Sequence, residues 1–191
     1  MNSGSFNFDQ IKPLNPLLAL FSTGHYGIEH AYRVFKLVDR LSEFEKLEGD
    51  QLQIIKFCAL FADIGREENQ MNLNFGLKSY EKISSKNFLG KDLFNNELIR
   101  FLFQSQSIKI EEIQGNLDQF KIENREEAIL LFKILKDALG LDAFRFGNFC
   151  AADLEFSNSK KLVLFASQFH RKELKQDLIL EEIENWLKQI Q

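Results

Sequence analysis

Apolar positions recur every three or four residues along most of the chain, which is the spacing of amphipathic helices. The first such helix is predicted over residues 28–44, and the polar stretch 48–50 ends it and opens the next. Residues 52–61 are apolar at so many positions that we expect a central helix buried on most sides. Gly65 is expected near the C-terminal end of that helix.

Further segments with helical spacing follow, and they are residues 73–84, 91–104, 125–139 and 160–169. The polar stretch 110–124 contains the one long irregular connection that the pattern indicates. The sequence contains no convincing alternating segment, no Asn-Gly hairpin signal and no internal repeat. The fold class is therefore predicted to be all-α.

The C-terminal segment, about residues 173–190, has apolar residues on one face of a predicted helix, namely Leu174, Leu178, Ile183, Trp186, Leu187 and Ile190. Such a face must be covered by other apolar surface. We expect it to pack on the body of the protein or on a partner subunit, so a homodimer through this helix stays open.

The length and composition indicate one packed domain spanning residues 1–191. The chain is 45% hydrophobic and contains 20 Phe but only two Pro, a composition that suits buried helices. Its net charge is −4, and no dense Lys/Arg run predicts nucleic-acid binding. Cys58 and Cys150 lie in apolar stretches without a C-x-x-C partner, so two reduced, buried thiols are expected.

Nothing in the sequence predicts a membrane segment. No run approaches the roughly 18 apolar residues that span a bilayer, and the N-terminus lacks the pattern of a signal peptide. We therefore expect a cytoplasmic protein without a membrane partner, although secretion by a specialised apparatus would leave no such mark.

Three separated motifs carry polar residues of the kind used in catalysis. They are GIEHAYRV (residues 27–34), FADIGREENQ (61–70) and LKDALGLDAFRFG (135–147). In this order and spacing they resemble the HD-domain superfamily, helical metal-dependent phosphohydrolases. That family carries H-x-x-R-V on a first helix, His-Asp followed by I/S-G-R at the end of a second, and an Asp in a D-A-x-x-L-D context later. The resemblance covers about residues 24–168.

The resemblance implies an HD-domain-like helical bundle with a metal site. The metal ligands would be His30, Asp63 and Asp137, and Asp63 and Arg66 would be the catalytic pair. The phosphate-binding or carboxylate-orienting residues would be Arg33, Arg66 and Arg145. A cation held by such a bundle activates a water molecule and neutralises phosphate oxygens during hydrolysis.

Several positions depart from the family pattern. Ala62 stands where the family has the His of the His-Asp pair, and Tyr26 where a histidine often begins the first motif. Phe75 replaces another motif histidine and is expected to plug the cleft or make it more apolar, and Gln104 falls near the place of a further one. These losses leave at most one weak cation site, suited to Mg²⁺ or Mn²⁺.

The residues leave other interpretations open. The alternative to a weak metal site is that no cation binds and that Arg33, Arg66 and Arg145 neutralise the aspartates. Asp142 and Arg145, three residues apart, are expected to form a structural ion pair. His25 could replace the missing histidine if the first helix began with a shifted turn. Glu67 and Glu68 belong to a solvated loop or act as an acid or base beside phosphate.

Two functional hypotheses from different classes follow from the sequence. The first is a degenerate phosphohydrolase, weak or inactive, that acts on a phosphomonoester or nucleotide. The second is a non-catalytic module that binds a phosphorylated ligand or a protein through the former active-site cleft. A pathogen effector could be a module of this kind. The shared loss of histidines favours an inactive protein.

Overall fold

The computed structural model describes residues 16–66, 74–85, 96–147 and 149–190, and all regular secondary structure within these ranges is helical. The all-α prediction is confirmed. The α-helices are α1 (Ile28–Glu45), α2 (Gly49–Phe61), α3 (Phe75–Ser84), α4 (Glu97–Gln104), α5 (Ile113–Leu117), α6 (Arg125–Leu141), α7 (Ser157–Lys161), α8 (Val163–His170) and α9 (Gln176–Gln189). Short 3₁₀ turns lie at Leu18–Leu20, Gly24–Tyr26, Ile110–Glu112, Asp142–Phe146 and Ala151–Asp153.

Helices α1, α2 and α6 form the centre of the bundle. Helix α1 packs most extensively against α2 and then against α6. Residues 57–62, which end α2 and begin the turn after it, are all buried, because neighbouring helices cover α2 on several sides. The prediction that this segment is a central helix is confirmed.

Phenylalanine rings fill much of the core. Those that are fully buried are Phe35, Phe57, Phe61, Phe101, Phe103 and Phe132. The ring centroid of Phe57 lies 5.1 Å from that of Phe61 and 6.2 Å from that of Phe103, distances typical of tilted aromatic pairs. These contacts tie α2 to α4 and hold the C-terminal end of α2 in place.

Helix α3 approaches its neighbours by backbone contact at two glycines. A Cβ atom on Gly76 would lie 1.9 Å from the carbonyl oxygen of Phe103, and one on Gly65 would lie 2.4 Å from the backbone nitrogen of Ser79. Only residues without a side chain fit such contacts. The glycines therefore let α3 pack tightly against both α4 and the turn after α2.

The polar stretch 110–124 is more ordered than its sequence indicates. It contains the 3₁₀ turn Ile110–Glu112 and helix α5. Ile113 and Leu117 are buried, and their spacing of four places both on one face of a single helical turn. Two apolar residues among polar ones are too weak a pattern to predict this short helix. The irregular connection is confined to residues 118–124, which follow it.

Two helices stand where a single one was predicted over residues 160–169. Helix α7 begins at Ser157, earlier than predicted, and Leu162 separates it from α8. The predictions for α3 and α4 are correct at their C-terminal ends, Ser84 and Gln104. The start of the predicted segment 73–84, the start of 91–104, and Glu67 and Glu68 lie outside the described residues.

The C-terminal helix α9 packs on the body of the protein. Its buried residues are Ile179, Ile183, Trp186 and Leu187, and the Trp186 ring lies 5.0 Å from the Phe35 ring of α1. The apolar face that suggested a homodimer is therefore largely covered within the chain. Leu178 was wrongly assigned to this face, because its exposed fraction is 61%.

One of the two thiols differs from its predicted environment. Cys58 is buried in α2, as expected, but Cys150 is exposed. The apolar stretch around Cys150 belongs to a connection between α6 and α7 and not to a helix interior.

None of the described helices has the length and apolar character needed to cross a membrane.

Candidate functional site

His30 lies between two buried carboxylates that come from different parts of the chain. It is on the first turn of α1, while Asp63 follows α2 and Asp142 follows α6. His30 Nε2 is 2.8 Å from Asp63 Oδ2, and His30 Nδ1 is 2.7 Å from Asp142 Oδ2. A neutral imidazole has one N–H, so only the doubly protonated ring donates to both ionised carboxylates.

Three arginines surround these groups. Arg33 Nε donates to Asp142 Oδ1 at 2.6 Å, and Arg66 Nε donates to Asp63 Oδ1 at 2.6 Å. Arg145 Nη1 donates to Asp142 Oδ2 at 2.9 Å, and its Nη2 is 3.9 Å from Asp63 Oδ2. We call these six side chains the ion cluster: His30, Arg33, Asp63, Arg66, Asp142 and Arg145.

The ion cluster has a simple signature in the sequence. Each of its three segments carries an arginine three positions after His30, Asp63 or Asp142. Residues three apart share a face of a helix or helical turn, so each segment presents a pair of side chains to the same centre. The predicted ion pair between Asp142 and Arg145 is confirmed by its 2.9 Å contact.

The neighbours of both aspartates hold them in the ionised form. Burial alone would raise the pKa of Asp63, but the hydrogen bonds and charges of His30 and Arg66 outweigh it and lower the pKa from 3.8 to about 2. Burial likewise opposes ionisation of Asp142. His30 and Arg33 overcome it and bring the pKa of Asp142 below its ordinary value.

Asp137, predicted to be a metal ligand with His30 and Asp63, lies outside the ion cluster. It is buried, and its two carboxylate oxygens accept hydrogen bonds from the backbone nitrogens of Glu155 and Phe156 at 2.9 and 3.0 Å. The carboxylate that contacts His30 belongs instead to Asp142. Five residues correspond to about 140° of rotation around a helix, so the two aspartates face different directions. Asp137 fixes the connection that precedes α7.

The ion cluster forms part of the wall of a cleft with a volume of about 770 Å³. Asp63, Arg66 and Arg145 line the cleft together with Phe75 and Gln106. This volume lies in the range of small-molecule sites, roughly 300–1,000 Å³. The cleft therefore has room for a ligand of modest size beside the charged groups.

Arg66 is held in a defined orientation at the cleft. Its guanidinium carbon lies 3.4 Å from the centroid of the Phe75 ring and 5.0 Å from that of Tyr26. Phe75 is itself buried in the cleft wall, so it makes this wall more apolar. Within the part of the chain that the structure describes, the Arg66 guanidinium hydrogen-bonds only through Nε, and the side chain is 31% exposed.

Gln106 is a cleft residue that the sequence did not point to. Its Nε2 donates to the carbonyl oxygen of Ala62 at 3.3 Å. The sequence indicates Gln104, which is the last residue of α4. The amide in the cleft wall belongs instead to Gln106, two residues later. No periodic pattern marks Gln106, because it lies in the turn that follows α4.

His25, the candidate replacement for the histidine missing from the family pattern, lies in the 3₁₀ turn before α1. Helix α1 begins at Ile28 as predicted, without a shifted turn. His25 is exposed, and its ring centroid is 5.3 Å from that of Phe146.

The side chains of the ion cluster do not leave a site for a metal ion. All four carboxylate oxygens of Asp63 and Asp142 and both ring nitrogens of His30 are engaged within the ion cluster. A cation would have to displace these partners and stand beside three guanidinium groups, so the residues do not fit one as they are arranged. No group of His, Cys, Asp or Glu side chains suited to a metal was found among the described residues.

Comparisons of the chain with protein-family models, curated proteins and solved structures found no match.

Proposed function

We propose that this protein is an HD-domain-like protein that binds a phosphorylated small molecule in the cleft and does not hydrolyse it. The observation that carries the proposal is that arginines and His30 occupy every carboxylate oxygen of Asp63 and Asp142. In this proposal the ion cluster takes the place that a metal centre has in an active phosphohydrolase.

The charge of the ion cluster supports an anionic ligand. Its three arginines outnumber its two aspartates, so one positive charge is in excess even when His30 is neutral. Charges interact more strongly in a partly buried site than in bulk water. The excess charge attracts an anion and opposes a cation.

The orientation of Arg66 supports phosphate as that anion. A guanidinium group offers several N–H donors in one plane, which match phosphate oxygens. Phe75 lies against the face of this group, and Asp63 holds its Nε. The loss of side-chain entropy on binding is therefore reduced, since the group is already positioned.

The rest of the cleft suits one phosphate and an organic group. Phe75, Ile110 and Leu139 give it apolar surface. Its other charged lining residues are Glu111, Asp153, Glu155, Lys109 and Lys136. Negative charge therefore exceeds positive charge outside the ion cluster, which disfavours a second, distant phosphate. The arrangement favours a phosphomonoester over a polyphosphate or a nucleic acid.

The absence of hydrolysis follows from the state of the carboxylates. An efficient general base has a pKa near the working pH, whereas the pKa of Asp63 is about 2. Both oxygens of Asp63 are also held by His30 and Arg66. Asp63 is therefore a poor base for activating water.

Calorimetric titration with phenyl phosphate at pH 7 tests the proposed binding. Arg66→Gln is expected to weaken it by about tenfold or more, because charge-assisted hydrogen bonds contribute about 1.5–3 kcal/mol. Arg40→Gln is the matched control, since Arg40 lies on the exposed side of α1 and pairs with Glu43. Equal loss in the two variants, or no binding by the unaltered protein, would refute the proposal.

The alternative, a weak metal-dependent phosphohydrolase, gives different results. It requires heat on titration with Mn²⁺ and turnover of p-nitrophenyl phosphate that Asp63→Ala abolishes. We expect neither from the unaltered protein, because the ion cluster resists a cation. Metal-dependent turnover with this sensitivity would favour the alternative.

A further inference from the structure

Two buried polar atoms that belong to residues lining the cleft have no hydrogen-bond partner in the described part of the chain. They are Gln106 Oε1, an acceptor, and Arg145 Nε, a donor. Gln106 is 5% exposed, and the Arg145 side chain is 7% exposed. Unpartnered buried groups are uncommon in folded proteins, and two of opposite polarity at one cleft suggest an absent ligand.

The orientation of the Gln106 amide follows from its neighbours. Its other end, Nε2, donates to the Ala62 carbonyl oxygen, which also accepts from Ser79 Oγ at 2.7 Å. Exchanging the amide nitrogen and oxygen would bring two oxygens together, so Oε1 is the unpartnered atom. The backbone is held as well, because Lys136 Nζ donates to the carbonyl oxygen of Gln106 at 3.0 Å.

These two atoms set requirements for the ligand. Arg145 Nε needs an acceptor, which a phosphate oxygen supplies. Gln106 Oε1 needs a donor on the same molecule. The charged residues that line the cleft are of both signs, but the one that hydrogen-bonds to Gln106 is Lys136. This ammonium group would repel a second ammonium group placed beside Gln106, so a neutral hydroxyl is the donor that fits.

We propose that the cleft binds a hydroxyl-bearing phosphate ester of the sugar or polyol phosphate type. A ligand hydroxyl donates to Gln106 Oε1, and a phosphate oxygen accepts from Arg145 Nε. This inference rests on the phosphate binding proposed above and adds the chemical class of the ligand. Gln106 is its specificity-determining residue.

A pair of ligands matched in carbon chain tests the inference. sn-Glycerol 3-phosphate and n-propyl phosphate have three carbons each, and only the first has hydroxyl groups. We expect the unaltered protein to bind glycerol phosphate about five- to tenfold more tightly in calorimetric titrations, the size of effect that one hydrogen bond to a buried group produces.

Variants then assign the discrimination to Gln106. Gln106→Met is expected to reduce the affinity ratio of the two esters to about one, because Met has similar length but no oxygen acceptor. Arg40→Gln, outside the cleft, is expected to keep the ratio. If Gln106→Met does not fold, the comparison of the two esters on the unaltered protein still decides.

The outcomes separate this inference from the proposed function. Equal affinity for both esters overturns the inference and leaves phosphate binding intact. Preferential binding of O-phosphoethanolamine over glycerol phosphate overturns the choice of a neutral donor. Failure of every phosphate ester to bind overturns the proposed function and the inference together.

Discussion

Asp63 is the residue whose surroundings decide between a metal ligand and an ion-pair partner. Its oxygens contact His30 Nε2 and Arg66 Nε, so the ionised carboxylate is matched by positive charge from the protein itself. Removing one partner from such a buried network leaves the other charges uncompensated, which is strongly destabilising. The role assigned to Asp63 therefore has a measurable consequence for stability.

Asp63→Asn is predicted to lower the free energy of unfolding at pH 7 by about 2 kcal/mol. This is the free energy that corresponds to lowering the pKa of Asp63 from 3.8 to about 2 on folding. Because the pKa in the folded state is depressed, this stabilisation is complete above the unfolded value of 3.8. It disappears as the pH falls toward 2. Urea unfolding at a series of pH values measures the difference between the two proteins.

Asp118→Asn provides the control for this pH dependence. Asp118 pairs with Arg125 on the surface, where both side chains are exposed, and exposed pairs contribute little. We expect the control to follow the unaltered protein at each pH. A difference between Asp63→Asn and the unaltered protein that stays constant from pH 7 to 2 would show that ionisation of Asp63 is not its source.

The sequence placed some residues of the site correctly and missed others. His30, Asp63 and the three arginines were singled out, and they do come together. The choice between Asp137 and Asp142 depended on their different directions around the end of α6, which the spacing alone could not decide. Gln106 lies in the turn after α4, where no periodic pattern marks it, and only the folded structure places it in the cleft wall.

Helix α3 shows how a close backbone contact positions the site. Gly76 lies against the carbonyl oxygen of Phe103 in α4. One turn later, Ser79 accepts a hydrogen bond from the backbone nitrogen of Gly65 and donates to the carbonyl oxygen of Ala62. The turn that carries Asp63 is thus fixed by a helix that a larger residue at position 76 would displace.

Gly76→Ala is predicted to destabilise the protein by about 3 kcal/mol, because its Cβ would lie 1.9 Å from a backbone oxygen that cannot move independently of α4. Gly115→Ala in α5 is the control, since nothing lies within 4 Å of its Cβ. There we expect a gain of about 0.5–1 kcal/mol from lower backbone entropy in the unfolded state. Similar free energies of unfolding for the two variants would contradict the close contact.

The packing of helix α9 on the body of the protein gives a second prediction about a helix. Trp186→Ala is expected to cost about 3–5 kcal/mol, because the ring is buried against Phe35. Leu178→Ala, on the exposed side of the same helix, is expected to change stability by less than about 0.5 kcal/mol. Equal losses would show that the packing of α9 on the body is not the one described. Thermal and urea unfolding measure both.

The long helices were predictable because their apolar faces repeat over several turns, as in α1 and α6. The short elements were not predictable from the sequence. The two apolar residues of α5 and the break at Leu162 between α7 and α8 give no extended period. Their structure depends on which surfaces the larger helices leave uncovered, and that information is not local in the sequence.

In the whole molecule, the ion cluster joins three segments that are far apart along the chain. α1, the turn after α2 and the 3₁₀ turn after α6 each contribute an ionisable residue and an arginine. The cluster therefore forms only when the bundle is assembled. Because its net charge is positive, the assembled cluster attracts anions and opposes cations, which is the basis of the proposed function.

The claim that the ion cluster binds phosphate and excludes a cation is tested most directly by a crystal structure of the protein with MnCl₂ and sn-glycerol 3-phosphate, together with an anomalous difference map. We expect electron density for the phosphate beside Arg66 and Arg145, and no anomalous manganese peak between His30 and Asp63. A manganese peak bonded to His30 Nε2 and a carboxylate oxygen of Asp63, with the arginines displaced, would contradict it.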